Sequence, residues 1–313
     1  MTDRGLPTRV LGRTGMAVTR LGYGSVELRN ARPQARRVTD TVAGELLNAV
    51  LDEGINFVDT SPDYGLAEEM IGRFIAHRRG EYFLASKAGC RVTDEPGGDG
   101  RHLYTRANVI EGVEQSLRRM RTDYLDLVQF HGRPVLAELL AGGAIEALQD
   151  LQRAGKVRFI GASATLPDLP DLIATGVFDA FQIPYSLLDR AHESVIADAA
   201  RAGAGTVIRG GAARGAPSDE KQWVDASLGV SEQRARALWV QAALDGLLDG
   251  ASRMEFTLRF TLTHPHLDTA IVGTSRVEHL RDNLASLRKG PLPTDVYREA
   301  LRRLDAAAEQ VTE

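Results

Sequence analysis

The chain has 313 residues, 43% hydrophobic and 26% charged, which suits one large α/β barrel or two ordinary globular domains. A formal net charge of −4 gives no ground for a nucleic-acid or anionic-membrane partner. Cys90 is the one cysteine, so an internal disulfide is excluded; no signal-peptide run opens the chain and no apolar run reaches the length of a membrane span, so a cytoplasmic location is expected.

In chain order, residues 9–22 (RVLGRTGMAVTRLG) read as a hairpin, with Gly12 to Gly15 supplying the turn between alternating flanks. Short β-branched or apolar runs then recur: TRLGYG, INFVDT, YFLASK, LDLVQF, RFIGAS, DAFQIP, TVIRG and TAIVG. Between them lie amphipathic stretches, among them residues 44–51, 66–77, 106–120 and 144–154. Thr105 caps the third, whose apolar stripe is Ile110, Val113, Leu117 and Met120, and Gly155 closes the fourth. Strand–helix alternation implies parallel strands with helical crossovers. Eight strand candidates in one chain imply a (β/α)8 barrel with an N-terminal hairpin, expected as a single domain over residues 1–313. Residues 91–101 and 209–221 read as long loops after strands, on the mouth face of such a barrel.

Four polar residues fall at or just after the ends of three successive strand candidates. Asp59 closes INFVD, Tyr64 follows in SPDYG, Lys87 closes FLASK and His131 follows LDLVQF. Strand ends converge at the mouth of a barrel, so these residues are expected to meet in one pocket. Together they make a proton-donating set. A free tyrosine is a poor acid at neutral pH. An ammonium about 4 Å away in a partly dry site interacts with a phenolate by roughly 4 kcal/mol, which would lower that barrier. Asp59 would hold Lys87 charged, and His131 would orient a carbonyl oxygen beside Tyr64. Taken singly, each residue has a plain structural role available: a helix cap, a snorkelling lysine, a packing aromatic, a core histidine. Their joint placement is what favours chemistry.

The same residues carry a family resemblance. NFVDTSPDYG resembles the signature of the aldo-keto reductases, an Asp followed five residues later by Tyr-Gly. LASKAG resembles their lysine strand, SLRRMRTDYLDLVQFH their histidine strand, and AGKVRFIGAS, FQIPYSLLDR and IVGTSRVEHLRDNL three later segments in the same order. The resemblance runs from Arg9 to about Leu287. It implies a catalytic tetrad of Asp59, Tyr64, Lys87 and His131, with Tyr64 the general acid in reducing a small aldehyde or ketone. It also implies a nicotinamide dinucleotide cofactor, NADP(H) ahead of NAD, bound without a Rossmann domain. Ser163 and Gln182 match the positions that hold the nicotinamide carboxamide. Gly273, Thr274, Ser275 and Arg276 match those at the adenosine 2′-phosphate, and His279, Asp282 and Asn283 those beside the adenine.

Two departures stand out. Ala164 follows Ser163 where the family usually has asparagine. In TVIRGGAARG, Arg209 stands where relatives stack an aromatic ring on the nicotinamide; a guanidinium there would contact cofactor phosphates or an anionic substrate group. Trp223 is a candidate pocket wall. His264 and His266 read as surface or helix-end histidines, because no Cys or acid cluster completes a site around them, and no metal is expected. Cys90 reads as a small apolar filler. Two other functions fit the same residues: a nucleotide-sensing regulatory subunit of the same fold, and a redox-neutral epimerase or dehydratase. The substrate and the oligomeric state are not legible in the sequence.

Overall fold

The computed structural model describes residues 5–29, 38–222 and 231–311. An N-terminal hairpin pairs β1 (Thr8–Val10) antiparallel with β2 (Ala17–Thr19). Eight strands then close a barrel: β3 (Leu21–Gly24), β4 (Phe57–Asp59), β5 (Phe83–Ala88), β6 (Leu125–Phe130), β7 (Val157–Ser163), β8 (Ala180–Pro184), β9 (Gly205–Arg209) and β10 (Thr269–Val272). Sequential neighbours pair in parallel, and β10 returns to β3. All eight strands lie where the apolar runs predict them, and the hairpin forms as expected.

Helices cross over outside the barrel: α1 (Asp40–Asp52), α2 (Ala67–Phe74), α3 (Arg106–Met120), α4 (Leu136–Ala141), α5 (Ala144–Arg153), α6 (Leu169–Ala174), α7 (Glu193–Arg201), α8 (Glu232–Gln241), α9 (Arg253–Thr263), α10 (Val277–Arg288) and α11 (Thr294–Val311). The Thr105 side chain accepts from the Asn108 amide and so begins α3 where the sequence sets it. The helix expected over 66–77 ends sooner, at Phe74, and gives way to a 3-10 segment over Ala76–Glu81. That segment sends Arg79 to the buried Asp126 carboxylate, 2.6 Å away, an attachment a straight helix does not predict. No helix among the described residues is long and apolar enough to cross a membrane.

The hairpin plugs the bottom of the barrel. Leu11, Met16 and Val18 pack with the inward residues Phe57, Ala85, Leu127, Ala180 and Val207 in one buried cluster. The fit requires glycine: a Cβ on Gly12, whose φ is +47°, would fall 2.1 Å from the Gly205 amide nitrogen. With the lower end filled by apolar side chains, the opposite end is left for polar ones.

Candidate active site

Strand side chains alternate between faces, so the residue two positions beyond each plug residue also points inward, one layer higher. From Phe57, Ala85, Leu127, Ala180 and Val207 this gives Asp59, Lys87, Gln129, Gln182 and Arg209. Five apolar residues thus lie beneath five polar ones, at the strand ends where barrel chemistry is built.

Asp59 is the centre of that layer. Its Oδ1 accepts from Lys87 Nζ at 2.5 Å, Gln182 Nε2 at 2.9 Å and Gln129 Nε2 at 3.0 Å. Lys87 Nζ also donates to the Thr60 carbonyl at 3.0 Å, and Ser163 Oγ donates to Gln182 Oε1 at 3.1 Å. The chain Lys87–Asp59–Gln182–Ser163 therefore joins predicted catalytic and predicted carboxamide residues into one buried network. Asp59 Oδ2 lies buried without a partner among the described residues. Gln129 is a member the sequence reading missed. Its one signal in the sequence was register, two residues beyond Leu127 on the inward face of β6.

Above the network opens a cavity of about 820 Å³, lined by Tyr64, His131, Ser163, Gln182 and Arg209 among others. Tyr64 lies in the loop after β4, where its amide donates to the Ser61 carbonyl at 3.0 Å. Burial, and then the Asp59 charge, push its phenol above the ordinary range; Arg209 opposes them. Arg209 is thus a cation that favours the phenolate, and Lys87 is turned to Asp59 and Thr60. The Tyr64 and His131 rings meet edge-on, centroids 6.2 Å apart. Burial holds the His131 imidazole below its usual pKa. Its Nδ1 lies 3.1 Å from Asp63 Oδ2 and 3.5 Å from both Cys90 Sγ and His102 Nε2. Cys90 is therefore more than filler: it is buried, but its sulfur faces polar groups.

Arg209 reaches the cavity, and burial depresses its pKa. Its Nε is a buried donor with no hydrogen-bond partner among the described residues. A cationic group with an unused donor fits a phosphate or carboxylate oxygen. Ala164 lines the same cavity, and its amide donates to the Gln182 carbonyl at 3.2 Å.

The adenosine-side candidates form a separate group outside the cavity lining. Gly273, Thr274 and Ser275 lead from β10 into α10, and Arg276 stands at its N-cap. Thr274 Oγ1 accepts from the Arg276 amide at 3.1 Å, and Tyr23 donates to the Thr274 carbonyl at 3.0 Å. His279, Asp282 and Asn283 follow on the helix. Arg276 Nη1 is paired at 2.8 Å with Glu220, and His279 Nε2 lies 3.6 Å from that same carboxylate. An anion from the β9 loop thus already sits on the guanidinium expected to meet the 2′-phosphate. The start of α10 has no side-chain cap hydrogen bond, and its first amides add a further anion-binding element. Both groups of residues suit a nicotinamide dinucleotide in chemistry. Trp223 lies outside the described residues.

A family model described as the aldo/keto reductase family matches residues 20–303. The uncharacterized oxidoreductase YqkF of Bacillus subtilis (strain 168) is 28% identical over 285 residues, covering 88% of this chain and 89% of that one. L-galactose dehydrogenase of Arabidopsis thaliana is 27% identical over 295 residues, covering 89% and 87%. The holo form of aldo-keto reductase AKR11C1 from Bacillus halodurans superposes with a TM-score of 0.80 at 26% identity, over 96% of each chain.

Proposed function

Because the chain belongs to the aldo/keto reductase family, we propose that it is an NADP(H)-dependent oxidoreductase that reduces a small aldehyde or ketone, with Tyr64 as general acid. The observation that carries this reading is the Asp59 network. One carboxylate oxygen gathers Lys87, Gln129 and Gln182 at the floor of a cavity lined by Tyr64 and His131. A bound nicotinamide dinucleotide supplies the hydride.

Tyr64 keeps its proton in the resting site, since burial and Asp59 both oppose ionisation. A carbonyl oxygen seated beside Tyr64 and His131 becomes far more basic as it turns into an alkoxide, and then takes that proton. Arg209 stabilises the phenolate left behind, through the same interaction that lowers the phenol's pKa. Asp59 keeps the Lys87 ammonium fixed, and Gln182 and Ser163 present amide and hydroxyl groups to the carboxamide.

The test is NADPH oxidation by the purified protein across a panel of aldehydes and ketones, with Tyr64→Phe beside it. Turnover in the wild type, lowered roughly 10²–10⁴-fold in kcat by the substitution, supports the reading. Wild-type turnover in Tyr64→Phe sinks the assignment of the acid. Tight cofactor binding without turnover points instead to a nucleotide sensor, and product formed without net NADPH loss to a redox-neutral enzyme.

A further inference from the structure

The geometry points to a transition-metal site, of the kind that takes Zn²⁺, formed by Asp63, Cys90, His102 and His131 beside the cavity. Each residue offers one ligand atom, and the four atoms all lie within 4.8 Å of one another. The resolved edges are 3.1 Å from Asp63 Oδ2 to His131 Nδ1, 3.2 Å from Asp63 Oδ2 to His102 Nε2, 3.5 Å between the two imidazole nitrogens, and 3.5 Å from Cys90 Sγ to His131 Nδ1. A zinc ion with ordinary Zn–N, Zn–O and Zn–S bonds sits in a tetrahedron whose edges are about 3.3–3.6 Å. These four edges lie within about 0.3 Å of that range, and the two remaining edges, from Cys90 Sγ to Asp63 and to His102, are no longer than 4.8 Å.

The backbone holds this arrangement. Cys90 and His102 face each other across an isolated antiparallel bridge, and the Arg91 amide donates to the Arg101 carbonyl at 2.9 Å. Asn108 Nδ2 ties the Cys90 and Leu103 carbonyls together at 3.1 and 2.8 Å. The His102 ring lies where only glycine can follow His131: a Cβ on Gly132, whose φ is +78°, would fall 2.3 Å from that ring. Tyr104 donates to the His131 carbonyl at 2.5 Å.

Ligand chemistry selects the ion. One thiolate, two imidazoles and one carboxylate suit a borderline-soft tetrahedral cation, whereas Mg²⁺ and Ca²⁺ require shells of oxygen. On binding, the Cys90 thiol releases its proton to solvent. The resulting thiolate and the Asp63 carboxylate then balance the two positive charges of the ion. With its Nδ1 lone pair on the metal, a neutral His131 carries its proton on Nε2, the nitrogen left for the cavity. The site does not depend on the reductase reading, so either can fail without the other.

The test titrates untagged full-length protein with Zn²⁺ and Co²⁺. One equivalent of Zn²⁺ should bind in equilibrium dialysis, and Cys90→Ser and His102→Gln should each weaken it by on the order of 100-fold. The Co²⁺ form should show intense tetrahedral visible bands and a sulfur-to-cobalt charge-transfer band. That band can arise only from Cys90, the chain's one cysteine, so the wild type alone decides the matter should a variant fail to fold. Absence of the charge-transfer band, or equal affinity in wild type and folded variants, overturns the site and leaves the cluster a hydrogen-bond network.

Discussion

Replacing Lys87 by methionine tests whether the centre of the polar layer is a true buried ion pair. Lys87 and Asp59 are 1% and 0% exposed, and their charged atoms are 2.5 Å apart. Without the ammonium, Asp59 keeps two amide donors on Oδ1 and, among the described residues, none on Oδ2. Breaking a buried pair in this way costs about 3–5 kcal/mol, because one charge stays behind uncompensated. Unfolding entropy of about 2.1 cal/mol/K per residue gives about 0.66 kcal/mol/K for 313 residues, so Tm should fall by about 5–8 °C. Asp59→Asn alone should also destabilise, by stranding the lysine on the Thr60 carbonyl. The double variant Asp59→Asn/Lys87→Met strands no charge and should recover most of the loss. The assay is Tm by circular dichroism for all four proteins without cofactor. A double variant that loses as much as the two singles summed refutes the pairing, as does a Lys87→Met shift below about 1 °C. A recovered double variant that lacks reductase activity would mean the pair is retained for chemistry rather than stability.

Other expectations follow from the cofactor side and from pH. Arg276→Ala should weaken NADPH more than tenfold and NADH little, since a charge-assisted hydrogen bond contributes about 1.5–3 kcal/mol; equal losses in fluorescence titration refute the 2′-phosphate contact. Glu220→Gln should do the opposite. The Glu220–Arg276 pair is 56% and 41% exposed and worth under about 1 kcal/mol, so its loss should tighten NADPH by up to about fivefold and leave NADH unchanged. Arg209→Tyr should narrow a preference for NADPH over NADP⁺, because the guanidinium disfavours an oxidised, cationic ring; an unchanged affinity ratio places Arg209 away from the nicotinamide. Burial, aided by the charges of His266, Arg190, Arg20 and Arg9, holds His264 at about 4. The fold favours its neutral form, so that stability is fully present above the unfolded value near 6.5 and is lost as pH falls toward 4. His264→Gln should therefore flatten Tm against pH across that window, and an unchanged slope refutes a buried neutral His264.

What was legible in the sequence was whatever local chemistry decides. Thr105 starts α3 because its hydroxyl satisfies an orphan amide, and the eight apolar runs became strands because only a closed barrel buries them all. Asp59, Lys87 and His131 could be placed at one mouth from strand-end position alone. Gln129 was equally available from the alternation that carries Leu127 inward, but a lone amide gives no chemical signal until its neighbours are known. The remaining features depend on loops closing on themselves. Cys90 meets His102 only because a bridge folds residues 91–101 back, and Glu220 reaches Arg276 only because the loop after β9 returns to α10. Neither contact has a periodicity to announce it.

Arg209 combines both kinds of information. Its position on β9 is set by strand register, two residues beyond the plug residue Val207, which makes it the fifth member of the polar layer. In that layer Asp59 and Lys87 cancel, so Arg209 brings a net positive charge, and its buried Nε has no partner among the described residues. Around the cavity, Arg29, Arg133, Arg214 and Arg234 add the same sign against the single lining carboxylate of Asp189, whereas Arg190 is paired with Glu193 and Asp305. A buried guanidinium with an unused donor is costly in an empty site. The cost is lowest when an anion occupies the cavity, and the surrounding arginines raise the local concentration of one. An aromatic at this position would stack on a cofactor ring and leave the charge of the cavity unchanged. On the reading proposed above, arginine instead would tie occupancy of the site to an anionic group, on the cofactor's phosphates or on the substrate.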